Sequence, residues 1–600
     1  MKKFIAPLLL VVCAVAAYLP ALRNGFVWDD QALVLRDPLI RSWQLIGEGF
    51  SHFLFTDAAA SDFYRPLQRL SYTLDYAAFF ISPLGYHLVS ILWHAAAAVA
   101  LFYFAEELVG RCDFSLAQAR VAAFLAALVW ALHPIQSAAV IYVAGRADPL
   151  AAAFGFLGLY LALRMQRAAG NARWGFGLGA GLAFLASALS KEMGLIFLLL
   201  WLIIFLAQPR RSAWSGAAGL IAAVLVAYAS LRLPAEHLAP PTNAARPLLV
   251  RPILASRAVA EYAGVLFFPW RLHMERDVET HPHGVNAASM NAAAWRELQT
   301  LLGLVLIAAV AYALWRSRRI PAIFLPLLLA VICYLPISGL LTLNATVAEH
   351  WLYLPSAFLF LAVAAAFELS GWWKSRSFSI RTATAGLTLW LLFLPVRTFC
   401  RTFDWKDQRT FLTRTIRDGG DSARMWINLG GLELSEGHLD AARAALERAL
   451  AREPQNPLGL LNLAAVAIRQ KDFSGARHLL QQITDPPELR ARAEESMAVL
   501  ENRESGQVNL IRLRLAARLG APNWTIEKRY IRTLAMLQHP QRAITELKTC
   551  LAVAPYRAES WQVMSELLLQ MNRPNEAARA LSMAEENDVH LHKRLPAPLL

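Results

Sequence analysis

The sequence predicts an all-α protein in two parts, a polytopic helical bundle in a membrane followed by a solenoid of helical repeats. Three observations predict it. The chain has 600 residues, too many for one soluble core. Its composition is 57% hydrophobic and 17% charged, with a mean hydropathy of +0.39, whereas soluble domains carry about 25% charged residues. Nearly every long apolar run also ends near residue 398, so the parts before and after that point meet different solvents.

Apolar runs recur at 4–22, 87–108, 121–138, 147–164, 174–189, 194–207, 213–231, 299–315, 320–337, 351–369 and 380–398. A span needs about 20 apolar residues, so these make about 11 transmembrane helices. The start, Met1-Lys2-Lys3 and an apolar run to Leu22, fits a cleaved signal peptide or an uncleaved first span. Its length and the lack of a small-x-small cleavage site favour the span. With the N-terminus inside, the inner loops carry Arg111 and Arg120, Arg164, Arg167 and Arg173, Arg210 and Arg211, Arg316, Arg318 and Arg319, and Lys374, Arg376 and Arg381. That agrees with the positive-inside rule across five loops. The stretch 258–270 is too short to span and reads as interfacial or re-entrant, since counting it would put the Arg316–Arg319 cluster outside. An odd number of spans sends the C-terminal part to the outer side.

The formal charge of +14 would suggest nucleic acid in a soluble protein. Here much of it lies in short loops between spans, where it sets topology and attracts membrane lipid, so no nucleic acid is expected. The cysteines Cys13, Cys112, Cys333, Cys400 and Cys550 are scattered without a CxxC pair, which points to neither a zinc site nor a disulfide framework.

After Arg417 an amphipathic helical pattern begins. Trp426, Leu429, Gly430, Ala442, Leu446, Ala449 and Pro454 stand at the offsets of a tetratricopeptide repeat (TPR). Leu460, Leu463, Ala464, Ala476 and Leu480 follow about 34 residues later. Tyr530, Ala543, Leu547 and Pro555, then Trp561, Ala577, Leu581 and Ala584, form another pair. The small residues let two helices approach, and proline stops the second. The segment 491–523 has the length of a degenerate fifth repeat. Such a TPR α-solenoid offers a groove to a peptide or protein partner, or serves as a spacer or oligomerisation element.

The outer loops hold the unusual residues. The first, 23–86, opens with Asn24-Gly25-Phe26-Val27-Trp28-Asp29-Asp30. Two adjacent carboxylates beside a membrane are costly unless solvated, paired or used. Adjacent like charges also tend to raise one pKa, which suits a general base; a helix cap or solvated turn is the plainer reading. Further on, Arg65 and Arg69 in the stretch 64–72 can hold a phosphate, pair with the carboxylates or anchor at the interface. The next outer loops carry His133 with Arg146 and Asp148, then Lys191-Glu192, read as a pair at membrane depth. Glu349, His350 and Tyr353 precede the tenth span. Several polar clusters on one membrane face, with none comparable on the other, favour an active site there.

At these residues the chain resembles a known family, the transmembrane and tetratricopeptide-repeat O-mannosyltransferase-like proteins, which are polytopic glycosyltransferases of GT-C type. The matching pieces are FVWDD (26–30), YRPLQRLSY (64–72), HPIQSAAVIYVAGRADPLAA (133–152), SKEMG (190–194) and EHWLYLPS (349–356), in order and followed by repeats. The resemblance implies a polyprenyl-phosphate sugar donor such as polyprenyl-phosphate mannose, with a protein or glycan acceptor arriving from the non-cytoplasmic side. It places the family's acidic motif on Asp29 and Asp30, one of which deprotonates the acceptor hydroxyl for inverting attack on the anomeric carbon. Arg65, Arg146 and Lys191 are the candidates that stabilise the departing lipid phosphate. The chain departs from the family at Gln136-Ser137-Ala138-Ala139, where His-x-Glu-Ala is common, and in a shorter loop at 232–256. No cofactor is certain. A divalent metal is compatible with so many acids, but no ligand spacing demands one, and neither a Rossmann fingerprint nor a P-loop is evident.

The expected domains are a GT-C-like glycosyltransferase domain over 1–400, a linker over 401–420 and a TPR domain over 421–590. The cell location implied is a bacterial inner membrane, N-terminus cytoplasmic and repeats periplasmic; an endoplasmic reticulum membrane has the same topology. Three functions compete: a glycosyltransferase acting on protein with the repeats recruiting the acceptor, one acting on a lipid or polysaccharide, and a non-catalytic membrane scaffold or transporter. A scaffold has no need of Asp29-Asp30 or Lys191-Glu192, and a transporter would place ionisable residues mid-span.

Overall fold

The computed structural model describes residues 4–56, 61–112, 114–207, 214–235, 247–278, 287–340, 345–372 and 377–594. Met1-Lys2-Lys3, Arg210, Arg211, Lys374, Arg376 and residues 236–246 of the loop 232–256 lie outside these. The described residues are mostly helical, and an isolated antiparallel bridge joins Arg276 to Val347.

All eleven apolar runs are helical. Among the described residues eight helices are long and apolar enough to cross a membrane, and a ninth follows if Leu116–Leu132 and Pro134–Val140, bent by 55°, form one span. Two runs make the shorter apolar helices Glu192–Leu206 and Pro321–Ile337. The chain is an integral membrane protein on this evidence. The helix Ala294–Ser317 makes the solvent plain: only 11% of its apolar window is buried, and a helix so apolar and so bare is stable only against lipid. The stretch 258–270 belongs to a longer helix, Val250–Phe267. It carries Arg251, Arg257 and Glu261, and that charge keeps it out of the set of candidate spans.

The chain divides into two compact units. The first is Met1–Val27, Pro83–Leu233 and Pro240–Asp407. Its helices Pro83–Val109 and Leu116–Leu132 bury Ala95, Ala97, Ala98, Ala119, Ala122, Ala123, Ala126 and Ala127, so their backbones approach closely, as helices do where lipid supplies no hydrophobic drive.

The second unit is Trp28–Ser82, Pro234–Ala239 and Gln408–Leu600. Its repeats are the helix pairs Ala423–Ser435 with Leu439–Arg452, Pro457–Arg469 with Phe473–Gln481, Pro487–Ser505 with Leu510–Gly520, Trp524–Met536 with Pro540–Val553, and Ala558–Gln570 with Pro574–Asn587. The third pair fills the place of the degenerate repeat. The signature residues Gly430, Ala442, Leu446, Ala464, Ala476, Tyr530, Ala543, Leu547 and Ala577 are all buried. The stretch expected as a linker is itself helical over Gln408–Arg417.

Residues 28–82 share this unit, and both ends of the array bear on them. At the far end Leu39 and Leu45 share a core with Ala554 and Tyr556. There the Tyr76 hydroxyl lies 2.7 Å from an Asp588 carboxylate oxygen, and the Val589 N–H donates to the Arg41 carbonyl at 3.1 Å. At the near end the Trp28 N–H donates to Oε1 of Gln408 at 2.7 Å.

Candidate functional site

The acidic pair sits at a sharp turn in the second unit. Trp28 has φ +54°, a conformation a bulky residue rarely adopts and one that costs about 1–3 kcal/mol. The carbonyl of Asp29 accepts from the N–H groups of Ala32 and Leu33 at 3.0 and 2.9 Å, which starts the helical turn Gln31–Arg36. Asp30 has no exposed surface, Asp29 is half-buried, and both interact with the protein around them.

Arg69 and Arg65 part company. Pro66 opens the helix Pro66–Phe79 with the φ that position requires, and this sends Arg69 into the loop. Its Nε donates to Asp37 Oδ2, Nη1 to the carbonyls of Gly49 and His52, and Nη2 to those of Phe53 and Leu54. A guanidinium has five N–H donors, and all are used. Arg69 has none left for a phosphate and leaves the candidate set as the knot of the first loop. Arg65 stays half-buried beside the Phe63 ring, 4.8 Å from its centroid.

In the first unit, helix Leu116–Leu132 breaks at His133. Its Nδ1 accepts the Ile135 N–H at 3.2 Å, which leaves the proton on Nε2 to donate to the Leu266 carbonyl at 2.9 Å. His133 thus caps and ties the break. Arg146, wholly buried, donates from Nε to Ser90 at 3.0 Å and from Nη2 to the Tyr86 carbonyl at 2.6 Å. Asp148, in the first turn of Ala147–Arg167, pairs with Lys191 at 2.6 Å. The lysine's partner is therefore Asp148, and the expected Lys191-Glu192 pair is corrected. A negative side chain also suits a helix N-terminus. Gly145 and Gly194 make these turns possible. A Cβ at Gly145 would stand 2.6 Å from the Ala138 carbonyl oxygen, and one at Gly194 would stand 2.2 Å from that of Ser187.

Glu349 is a buried anchor. Its Oε1 accepts from the His273 N–H at 2.6 Å and from Arg276 Nη2 at 3.1 Å, and Arg401 Nη2 lies 3.7 Å from Oε2. Arg276 also pairs with Glu261, and Arg401 with Asp404 at 3.0 Å. Burial, with Arg276 beside it, pushes the His273 imidazole down to about 3, so it is neutral at physiological pH. The Tyr353 hydroxyl meets His94 Nδ1 at 2.7 Å while His94 Nε2 donates to the Ala131 carbonyl at 3.0 Å. The Tyr353 carbonyl accepts from the Trp130 indole at 2.8 Å. Tyr353 thus locks three helices together. Glu192 and His350 are half-buried and engaged with neighbours.

Asp29, Asp30, Arg65 and Arg69 therefore belong to the second unit, and His133, Arg146, Asp148, Lys191, Glu192, Glu349, His350 and Tyr353 to the first. Asp148 joins Lys191, and Glu349 joins arginines that sequence reasoning missed. Arg276 follows a short apolar run and Arg401 falls just past the last one, where both read as ordinary flanking charge. His94 was hidden inside an apolar span, where an intramembrane histidine is itself a signal. Among the described residues the grouping compact enough for a metal is Glu433, Glu436 and His438, and Arg409 pairs with both glutamates.

The tetratricopeptide repeat family profile matches residues 433–498. The chain is 26% identical over 437 residues to a protein O-mannosyl-transferase of Caenorhabditis elegans, covering 70% of this chain and 59% of that one. It is 22% identical to the human protein O-mannosyl-transferase TMTC3 over 97% of this chain and 64% of that one. Both relatives are protein O-mannosyl-transferases. This agrees with the resemblance read from the motifs. The chain spans less than two-thirds of the length of either relative. Among solved structures, ArnT from Cupriavidus metallidurans bound to undecaprenyl phosphate aligns over 86% of this chain and 76% of that one, at 14% identity and a TM-score of 0.34.

Proposed function

We propose that this protein is a membrane glycosyltransferase that moves a hexose, mannose first among them, from a polyprenyl-phosphate donor to an acceptor hydroxyl on protein. The observation that carries the proposal is the similarity to a protein O-mannosyl-transferase along 97% of the chain, membrane helices and repeats together. Transfer takes place at the non-cytoplasmic face, a placement of the acidic motif that the positive-inside pattern of the loops supports. One of Asp29 and Asp30 takes the acceptor proton as its oxygen attacks the anomeric carbon, and the bond to the lipid phosphate breaks. Positive charge stabilises the leaving phosphate. Lys191 has three N–H donors, of which one meets Asp148; with Arg65 it is the candidate for that role, while Arg146 orders the loop beside it. The repeats recruit the acceptor or a partner protein. The membrane is a bacterial inner membrane or an equivalent with an outer aqueous space; the relatives described above are animal proteins.

A second reading, transfer to a lipid or polysaccharide, shares the same donor and base. The test of the base is replacement of Asp29 and Asp30 by asparagine, singly and together, in correctly inserted protein supplied with polyprenyl-phosphate mannose. At least one single variant loses sugar transfer. Full activity in both singles and the double removes the base.

A further inference from the structure

The turn that carries the acidic pair is held from outside its own loop as well as from within it. The Trp28 N–H donates to Oε1 of Gln408 at 2.7 Å. The indole meets the edge of the Phe411 ring with centroids 5.4 Å apart, and the Arg424 guanidinium stands 5.2 Å from the indole centroid. Gln408 and Phe411 lie on Gln408–Arg417, the helix that opens the array, and Arg424 on Ala423–Ser435, the first repeat helix. A tryptophan at φ +54° persists only where its surroundings over-determine it, and the surroundings here include side chains at the start of the array, one at its amide and two at its indole. The backbone of Asp29 follows directly, its carbonyl bound by Ala32 and Leu33, so the backbone from which both carboxylates project begins at the residue that is held.

We propose that Gln408, Phe411 and Arg424 are positioning residues, and that the start of the repeat array clamps Trp28 so as to aim the acidic pair. This rests on the reading of Asp29 or Asp30 as the base. The repeats then have a part in the chemical step besides recruitment. A base aimed through a clamp loses rate when the clamp loosens, without losing substrate, because misplacement by about 1 Å is felt in the transition state.

The test uses the full chain in lipid nanodiscs, with radiolabelled polyprenyl-phosphate mannose as donor and the acceptor protein found by comparing glycoproteins with and without this chain. Gln408→Leu, which cannot accept the Trp28 N–H, lowers kcat about tenfold or more with KM for donor and acceptor within about twofold. Gln408→Glu keeps the acceptor oxygen and restores most of kcat. Phe411→Ala and Arg424→Ala behave as Gln408→Leu does, and Arg424→Lys, which keeps a cation over the indole, is rescued in part. Amide exchange at residues 29–36 speeds up in the three damaging variants and not in the two conservative ones. Unchanged kcat in Gln408→Leu and Phe411→Ala, beside inactive Asp29→Asn or Asp30→Asn, overturns the clamp and leaves the base standing. Full activity in both aspartate variants overturns the base, and the clamp with it.

Discussion

Lys191 Nζ stands 2.6 Å from Asp148 Oδ1, across 43 residues of chain. The two side chains are 10% and 13% exposed, so each charge depends on the other for most of what water would supply. Removing one partner of such a pair is expected to cost about 3 kcal/mol. Asp148→Asn and Lys191→Met should each lower the unfolding temperature in nanodiscs, and the double variant should recover part of the loss. Single variants as stable as the parent would show that the pair is not formed.

Arg69 makes its five donations to Asp37 and to the carbonyls of Gly49, His52, Phe53 and Leu54. Lysine has three donors at a point and cannot fan across them. Arg69→Lys is therefore expected to destabilise the loop by about 1–3 kcal/mol for each buried carbonyl left without a donor, read as faster proteolysis and amide exchange over 37–56. A stable Arg69→Lys protein with a raised donor KM would return Arg69 to the phosphate.

His273 gives a pH dependence with a fixed sign. Its folded pKa of about 3 lies below the unfolded value of 6.5, so between the two the unfolded chain binds the extra proton. Stability from this group is full above about pH 6.5 and falls as pH drops toward 3. Melting temperatures of the parent and His273→Gln, compared from pH 8 to pH 4, should diverge in slope, with the variant flatter. Parallel curves would contradict a buried neutral imidazole.

Gly194 has no room for a side chain, because a Cβ would stand 2.2 Å from the backbone oxygen of Ser187. Overpacking of this kind costs about 1–3 kcal/mol. Gly194→Ala should lower the yield of folded protein and move the neighbouring Lys191, so transfer falls with it. A Gly194→Ala protein of normal stability and activity would show that the turn is looser than drawn.

Much of the fold was legible because its signals are local. Lipid demands long apolar helices, and a repeat shows itself by the recurrence of residues such as Gly430, Ala464 and Ala577. The third helix pair was legible only by length, since its packing residues differ from the pattern. What escaped was charge pairing over distance. Lys191 reads as the partner of its neighbour Glu192, yet helix geometry brings it to Asp148. Arg69 reads as a phosphate holder, a partner of the carboxylates or an interfacial anchor, yet its carbonyl partners belong to a loop whose path the sequence does not state. Arg276 and Arg401, far apart in sequence, meet at Glu349. The clamp on Trp28 lies beyond any periodicity, because Gln408 and Phe411 fall where the pattern suggested a plain linker.

The measurement that bears most directly on the account is mass spectrometry of exported glycoproteins, glycolipids and polysaccharides from cells with and without this protein. The account predicts that a hexose is lost from the hydroxyl side chains of one or more exported proteins and returns with the parent chain, but not with the inactive aspartate variant. Loss from a lipid or polymer alone would move the acceptor to the second reading, and an unchanged profile in all three fractions would contradict sugar transfer by this chain.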